Sequence, residues 1–216
     1  MKKNIFRILL GLALFLLPFT AVKAASTKAG DNIYVSKDEI VNGNLYAAGQ
    51  SITIDGNISG DLIAAAQTIN VNGRIEGDII AASQSITING EVGGNVRVAG
   101  NSLSINGTVA RNVNAFGADV IFGANSRIGW DAYVAGANLE SRGTIDGSLS
   151  GWAGKALITG NIGKDLNLKL ANSNAVLTIE PGAVINGNVT YTAKNPAQIS
   201  NKAEIHGQVN QLTFLV

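Results

Sequence analysis

Residues Ile52-Thr53-Ile54-Asp55-Gly56-Asn57-Ile58-Ser59-Gly60-Asp61-Leu62 decide the fold, because they return 17 residues later as Ile69-Asn70-Val71-Asn72-Gly73-Arg74-Ile75-Glu76-Gly77-Asp78-Ile79. The same pattern comes back as Ile86-Thr87-Ile88-Asn89-Gly90-Glu91-Val92-Gly93-Gly94-Asn95-Val96 and as Leu103-Ser104-Ile105-Asn106-Gly107-Thr108-Val109-Ala110-Arg111-Asn112-Val113. A fixed period of this size means one structural unit stacked on copies of itself.

Working outward from Gly56, matching unit starts fall at Glu39, Gly56, Gly73, Gly90, Gly107, Ser126, Gly143, Gly160, Ala183 and Ala203. Most steps are 17 residues; one is 19, and the last two are 23 and 20, with insertions near Leu170–Asn174 and Ala193–Gln198. Two places after each start stands an Ile or Val, such as Ile58, Ile75, Val92 and Ile128. Six places after stand Leu45, Leu62, Ile79, Val96 and their equivalents, and eight places after mostly small residues such as Ala47, Ala64 and Ala81.

Inside each unit, apolar residues alternate with polar ones, as in Ile52-Thr53-Ile54 and Ile86-Thr87-Ile88. Period two with β-branched residues is the strand signature. Gly, Asn and Asp separate the short runs and mark corners, where Gly supplies positive φ and Asn or Asp tolerates it. Three short strands and three corners fit in 17 residues. The expectation is an all-β fold: a single-stranded parallel β-helix with three faces and about ten coils, right-handed by the general crossover preference. Stacked at about 4.8 Å, ten coils make a rod on the order of 50 Å long. An array of amphipathic helices is the competing reading, but most units carry two glycines, which are costly in helices, and no run keeps helical spacing.

Lys2, Lys3 and Arg7 precede the apolar run Ile8–Val22, and Val22-Lys23-Ala24 offers a cleavage site. Residues 1–24 therefore read as a secretory signal peptide, with a retained membrane anchor as the alternative. Residues 25–32 read as a polar linker and 33–216 as one β-helix domain. Losing Lys2, Lys3, Arg7 and Lys23 lowers the basic residues from 16 to 12 against 15 acidic ones, for a net charge of −3. No basic patch for nucleic acid remains. Cysteine is absent, so neither a disulfide framework nor a thiolate metal site exists.

Little in the chain points to chemistry. His206 is the only histidine and sits beside Gly207, as a corner residue does. Acyltransferases on β-helices use a six-residue repeat instead, and the acid clusters of β-helical polysaccharide lyases are not evident. Asp61 and Asp78 stack one unit apart; Ca²⁺ ligation is one reading, but a ladder bonding its own turns is the expected one. A threonine array for ice fails at Gly123 and Glu140. No catalytic, cofactor-binding or metal-binding residues are assigned, and no cofactor is expected.

Aromatic residues give the first surface signal. Phe116 and Trp152 occupy a column otherwise filled by Ala48, Ala65, Ala82, Ala99 and Ala135, with Tyr133 in a neighbouring outward column and Trp130 at a corner glycine position. Phe116, Tyr133 and Trp152 are candidate contacts for a glycan or a partner. The 19-residue step offers the opposite reading, a register shift that turns some of them inward. The apolar end Leu212-Thr213-Phe214-Leu215-Val216 shows no charged stop, so Leu212, Phe214 and Val216 are candidate contacts at a polymer joint.

The segments Ile54–Leu62 and Ile179-Glu180-Pro181-Gly182-Ala183-Val184-Ile185-Asn186-Gly187-Asn188-Val189 resemble the bactofilins, over roughly Ile33 to Val209. That resemblance implies a right-handed three-faced β-helix that joins end to end into filaments without nucleotide and acts as a non-enzymatic scaffold. The expected partners are other copies of the chain, together with membrane or cell-wall components. Typical members are cytoplasmic, whereas the leader here directs an expectation of export to the cell envelope. The alternative is a secreted or surface-attached adhesin that binds glycan.

Overall fold

Leu62, Ala64, Ile69 and Val71 cannot all face one way along a straight strand, because the five-residue interval from Ala64 to Ile69 reverses the alternation. The chain bends between them. In the computed structural model, which describes residues 25–170 and 175–213, the strand Leu62–Val71 buries all four side chains by turning a corner at Ala65–Thr68. Each regular coil is such a bent strand of about ten residues plus a two-residue strand.

The first coils set the pattern. Strand β1 runs Ala25–Val35, β2 Ile40–Val41 and β3 Asn44–Ile54. The bent strands stack in parallel as one sheet, from β1 and β3 up to Val209–Leu212, and the short strands stack as a second sheet of ten, from β2 to Glu204–Ile205. Two hydrogen-bonded sheets thus form three faces: two halves of the bent strand, and the short strand. Every pairing runs in register, such as Ile58 on Ile75, Val109 on Ile128 and Ile162 on Ile185. The columns Leu45–Leu62–Ile79–Val96–Val113 and Ile58–Ile75–Val92–Val109 are almost completely buried and form one continuous core. Each such side chain contributes roughly 1.5–3 kcal/mol of burial.

All ten units read from the sequence are present, and β1 adds an eleventh rung. Residues 25–32, read as a linker, pair with the first full coil instead, Ala25 opposite Asn44 through Gly30 opposite Gly49. Their polarity misleads because, among the described residues, no coil stacks beyond β1, and Ser26 and Lys28 need not be apolar. The expected signal segment 1–24 lies outside the described residues.

The extra residues of the 19-residue step sit in the turn Gly123–Ser126, closed by Ser126 N–H donating to Gly123 O at 2.9 Å. Phe116 still pairs with Ala99 on one side and Ala135 on the other, so no register shift follows. The later insertions fall between Leu170 and Val176 and between Thr192 and Gln198, at the bend of the long strand. Residues 171–174 of the first lie outside the described residues.

The corner glycines act differently from the sequence expectation. Among the described residues Gly43 and Gly182 are left-handed at φ 82° and 85°, but Gly56, Gly73, Gly90 and Gly107 do not have positive φ, nor does any Asn or Asp. A methyl group on Gly73 or Gly90 would overlap the backbone carbonyl of the glycine one coil below. Close stacking of coils, not backbone conformation, selects glycine there. The Asn and Asp side chains bond from coil to coil: Asn72, Asn89 and Asn106 donate their amides to Asp55, Asn72 and Asn89 at 2.7–2.8 Å.

Candidate contact surfaces

A stacked coil buries its apolar side chains only if another coil lies over it, so the ends of the rod are chemically distinct from its middle. At the C-terminal end, Val209 continues the column of Leu45, Leu62 and Val189, which are 0% exposed, yet it is itself 46% exposed. Leu212 is 51% exposed, and Ile199 is open although it stacks on the buried Ile179. Among the described residues nothing covers this apolar section. Leu212 lies in this last coil but stacks on Thr192 in the outward column of Trp152 and Lys169, while Phe214 and Val216 fall outside the described residues.

At the N-terminal end the first half of β1 is polar, while Ile33 and Val35 later in the same strand are buried. Ser26 and Lys28 stand opposite the inward Leu45 and Ala47. Lys28 Nζ donates to Glu39 Oε1 at 2.7 Å across this end, and this bond holds the Glu39 carboxyl below its ordinary pKa. Among the described residues β1 pairs only with β3, and no strand lies on its outer side.

The side of the rod has its own chemistry. On the first half of the bent strands, Tyr46, Ile63 and Ile80 form one outward column and Ala48, Ala65, Ala82 and Ala99 the next. Together with Phe116 they line a groove of about 540 Å³. Phe116, Tyr133 and Trp152 lie on this same face, all exposed. The Phe116 and Tyr133 rings are 6.1 Å apart at 55°, and the Lys169 ammonium lies 5.9 Å from the Trp152 ring. Trp130 is exposed at the adjoining corner with the Arg111 guanidinium 5.7 Å from its ring. Sequence reading singled out the aromatic residues but passed over Tyr46, Ile63 and Ile80. Their signal was available as three large apolar residues in a column that alternation turns outward.

Residues 33–125 match the family model of the bactofilins, described as polymer-forming cytoskeletal. These residues are a bactofilin domain. Comparison with curated proteins and with solved structures gives no match.

The bactofilin domain ends in the turn before Arg127, but the coils run on in the same register, with Ile128 on Val109 and Tyr133 on Asn114. Phe116 therefore lies inside the matched region, whereas Tyr133, Trp152 and the open C-terminal end lie in coils that extend it. The acidic corner of the bactofilin domain is occupied by its own backbone. Asp61 accepts from the Asp78 N–H at 2.8 Å and Asp78 from the Asn95 N–H at 2.7 Å. This is the ladder expected from the sequence, and the same bonding continues through Asp131, Asp165 and Asn188.

Proposed function

We propose that this chain is a non-enzymatic scaffold that is exported and assembles end to end into filaments in or on the cell envelope. The supporting observation is the open C-terminal section, where Val209 and Ile199 leave uncovered the inward columns that are buried in the inner coils. Covering such a section with another copy removes apolar surface from water and pairs open strand edges. The description of the matched family as polymer-forming supports the same reading. Export rests on the leader pattern alone, with Ala25 as the expected first residue of the mature chain.

The test is electron microscopy of the purified chain starting at Ala25. Filaments are expected for the native sequence and short particles for Val209→Asp combined with Ile199→Asp. Strictly monomeric native protein at high concentration overturns the proposal. A glycan-binding rod is the second reading, favoured by the exposed Phe116, Tyr133 and Trp152 on one face. It predicts monomers with a saturable saccharide ligand, so the same images separate the two.

A further inference from the structure

We infer that the first face of the rod is a lateral interface with a second copy of the chain, the two rods lying parallel about a two-fold axis that runs along them. The inference rests on the filament reading above and adds a second direction of association. Its basis is the relief of the face. Tyr46, Ile63 and Ile80 form a ridge, with Tyr46 and Ile80 43% and 47% exposed. Two residues further along each strand, about 7 Å away, exposed alanines at 48, 65 and 82 form a trough, continued by Ala99 and closed by Phe116.

A two-fold axis along the rods exchanges the left and right of this face and keeps the height of every rung. It sets the ridge of one copy over the trough of the other, Ile63 opposite Ala65 and Ile80 opposite Ala82. A two-fold across the rods would set ridge on ridge. The face is therefore self-complementary in one orientation, as an isologous contact requires.

Charge selects a second copy over a lipid surface. The groove holds two cations, Lys28 and Arg97, and each already donates to a carboxylate of its own chain at 2.7 Å, Glu39 and Asp78 respectively. They leave little unpaired charge to draw anionic headgroups, and an apolar, internally neutralised face suits burial against its like. Size sets the conditions for pairing. Five steps of about 4.8 Å by two columns give on the order of 200 Å² in projection, well short of the roughly 800 Å² per partner of a stable complex. A single pair is weak, but a filament repeats the contact in every subunit, and linked weak contacts reinforce one another. Pairing should accompany filament formation and be absent from monomers.

Because the chain lacks cysteine, single substitutions report on the geometry. Filaments carrying Ala48→Cys alone, or Ala99→Cys alone, should each give covalent dimers with a short bifunctional maleimide, since parallel rods bring equal heights together. Native filaments should be two rods wide. Ile80→Lys, at an exposed site that leaves the circular dichroism unchanged, should give filaments of native length one rod wide. Cross-linking only in a mixture of the two cysteine variants would mean antiparallel rods and overturn the axis. Native filaments one rod wide without cross-links overturn the inference and leave end-to-end assembly standing, whereas native protein that forms no filaments removes both. Co-sedimentation of the native chain with phosphatidylglycerol vesicles, lost in Ile80→Lys, would assign the face to lipid and overturn it as well.

Discussion

Asp55 and Asp78 each bond to the neighbouring coil, so their ionisation is a property of the stack. At Asp78 burial raises the pKa, but the Asn95 backbone N–H and the Arg97 guanidinium outweigh it and the net shift is downward. Asp55 is lowered by the Asn72 amide and then by the Tyr34 hydroxyl, and Glu39 by the Lys28 ammonium. A carboxyl whose folded pKa is depressed contributes stability that is fully present above its unfolded pKa and is lost as pH falls through the lower folded value. The thermal midpoint should therefore hold from neutrality to about pH 4 and decline below that. Asp78→Asn should shallow the decline, because an asparagine accepts the same backbone bond, as Asn188 does from Gln208. Melts by circular dichroism across this range are the check, and a midpoint unchanged down to about pH 2 would contradict the assignment.

The coil is the element of this molecule, and its inward columns read directly from the sequence because each apolar residue must lie on its equivalent one coil away. What the sequence hid follows from neighbours that are missing or too close. The polar Ser26 and Lys28 concealed β1, beyond which no coil lies among the described residues. The corner glycines looked like positive-φ turns, whereas the constraint is the carbonyl of the coil below, which no single unit contains. The outward aromatics were legible as columns, but their ring contacts depend on the neighbouring rung. Nor did the sequence reading mark Ser141, which interrupts an apolar inward column between Phe122 and Ile158. Ser141 is fully buried, and its hydroxyl has no hydrogen-bond partner among the described residues. An unpaired buried hydroxyl costs about 1–3 kcal/mol, so Ser141→Ala should raise the free energy of unfolding by roughly 1 kcal/mol. A urea titration that shows destabilisation instead would mean that the hydroxyl is satisfied, for example by an internal water.

At the scale of the whole rod, stability is close to a sum over neighbouring coils, and any inner coil is replaceable by the one stacked on it. Residues 143–159 are one period, and removing them joins Arg142 to Gly160 with every later column still over its equivalent. That deletion should give a folded protein with a β spectrum, and filaments whose axial repeat is shorter by about 5 Å per subunit. Removing residues 134–149 is the smaller excision but should do more damage, because its junction falls inside a strand and not at a corner that can take up an extra residue as the turn Gly123–Ser126 does. It displaces the rest of the joined strand by one residue, which turns inward side chains such as Ala156 and Ile158 out of the core. A cooperative thermal transition for the longer deletion and none for the shorter is the expected pair of results. Equal tolerance of both would mean that the coils are not held in register by their apolar columns, and the open C-terminal section could then no longer be read as a joint.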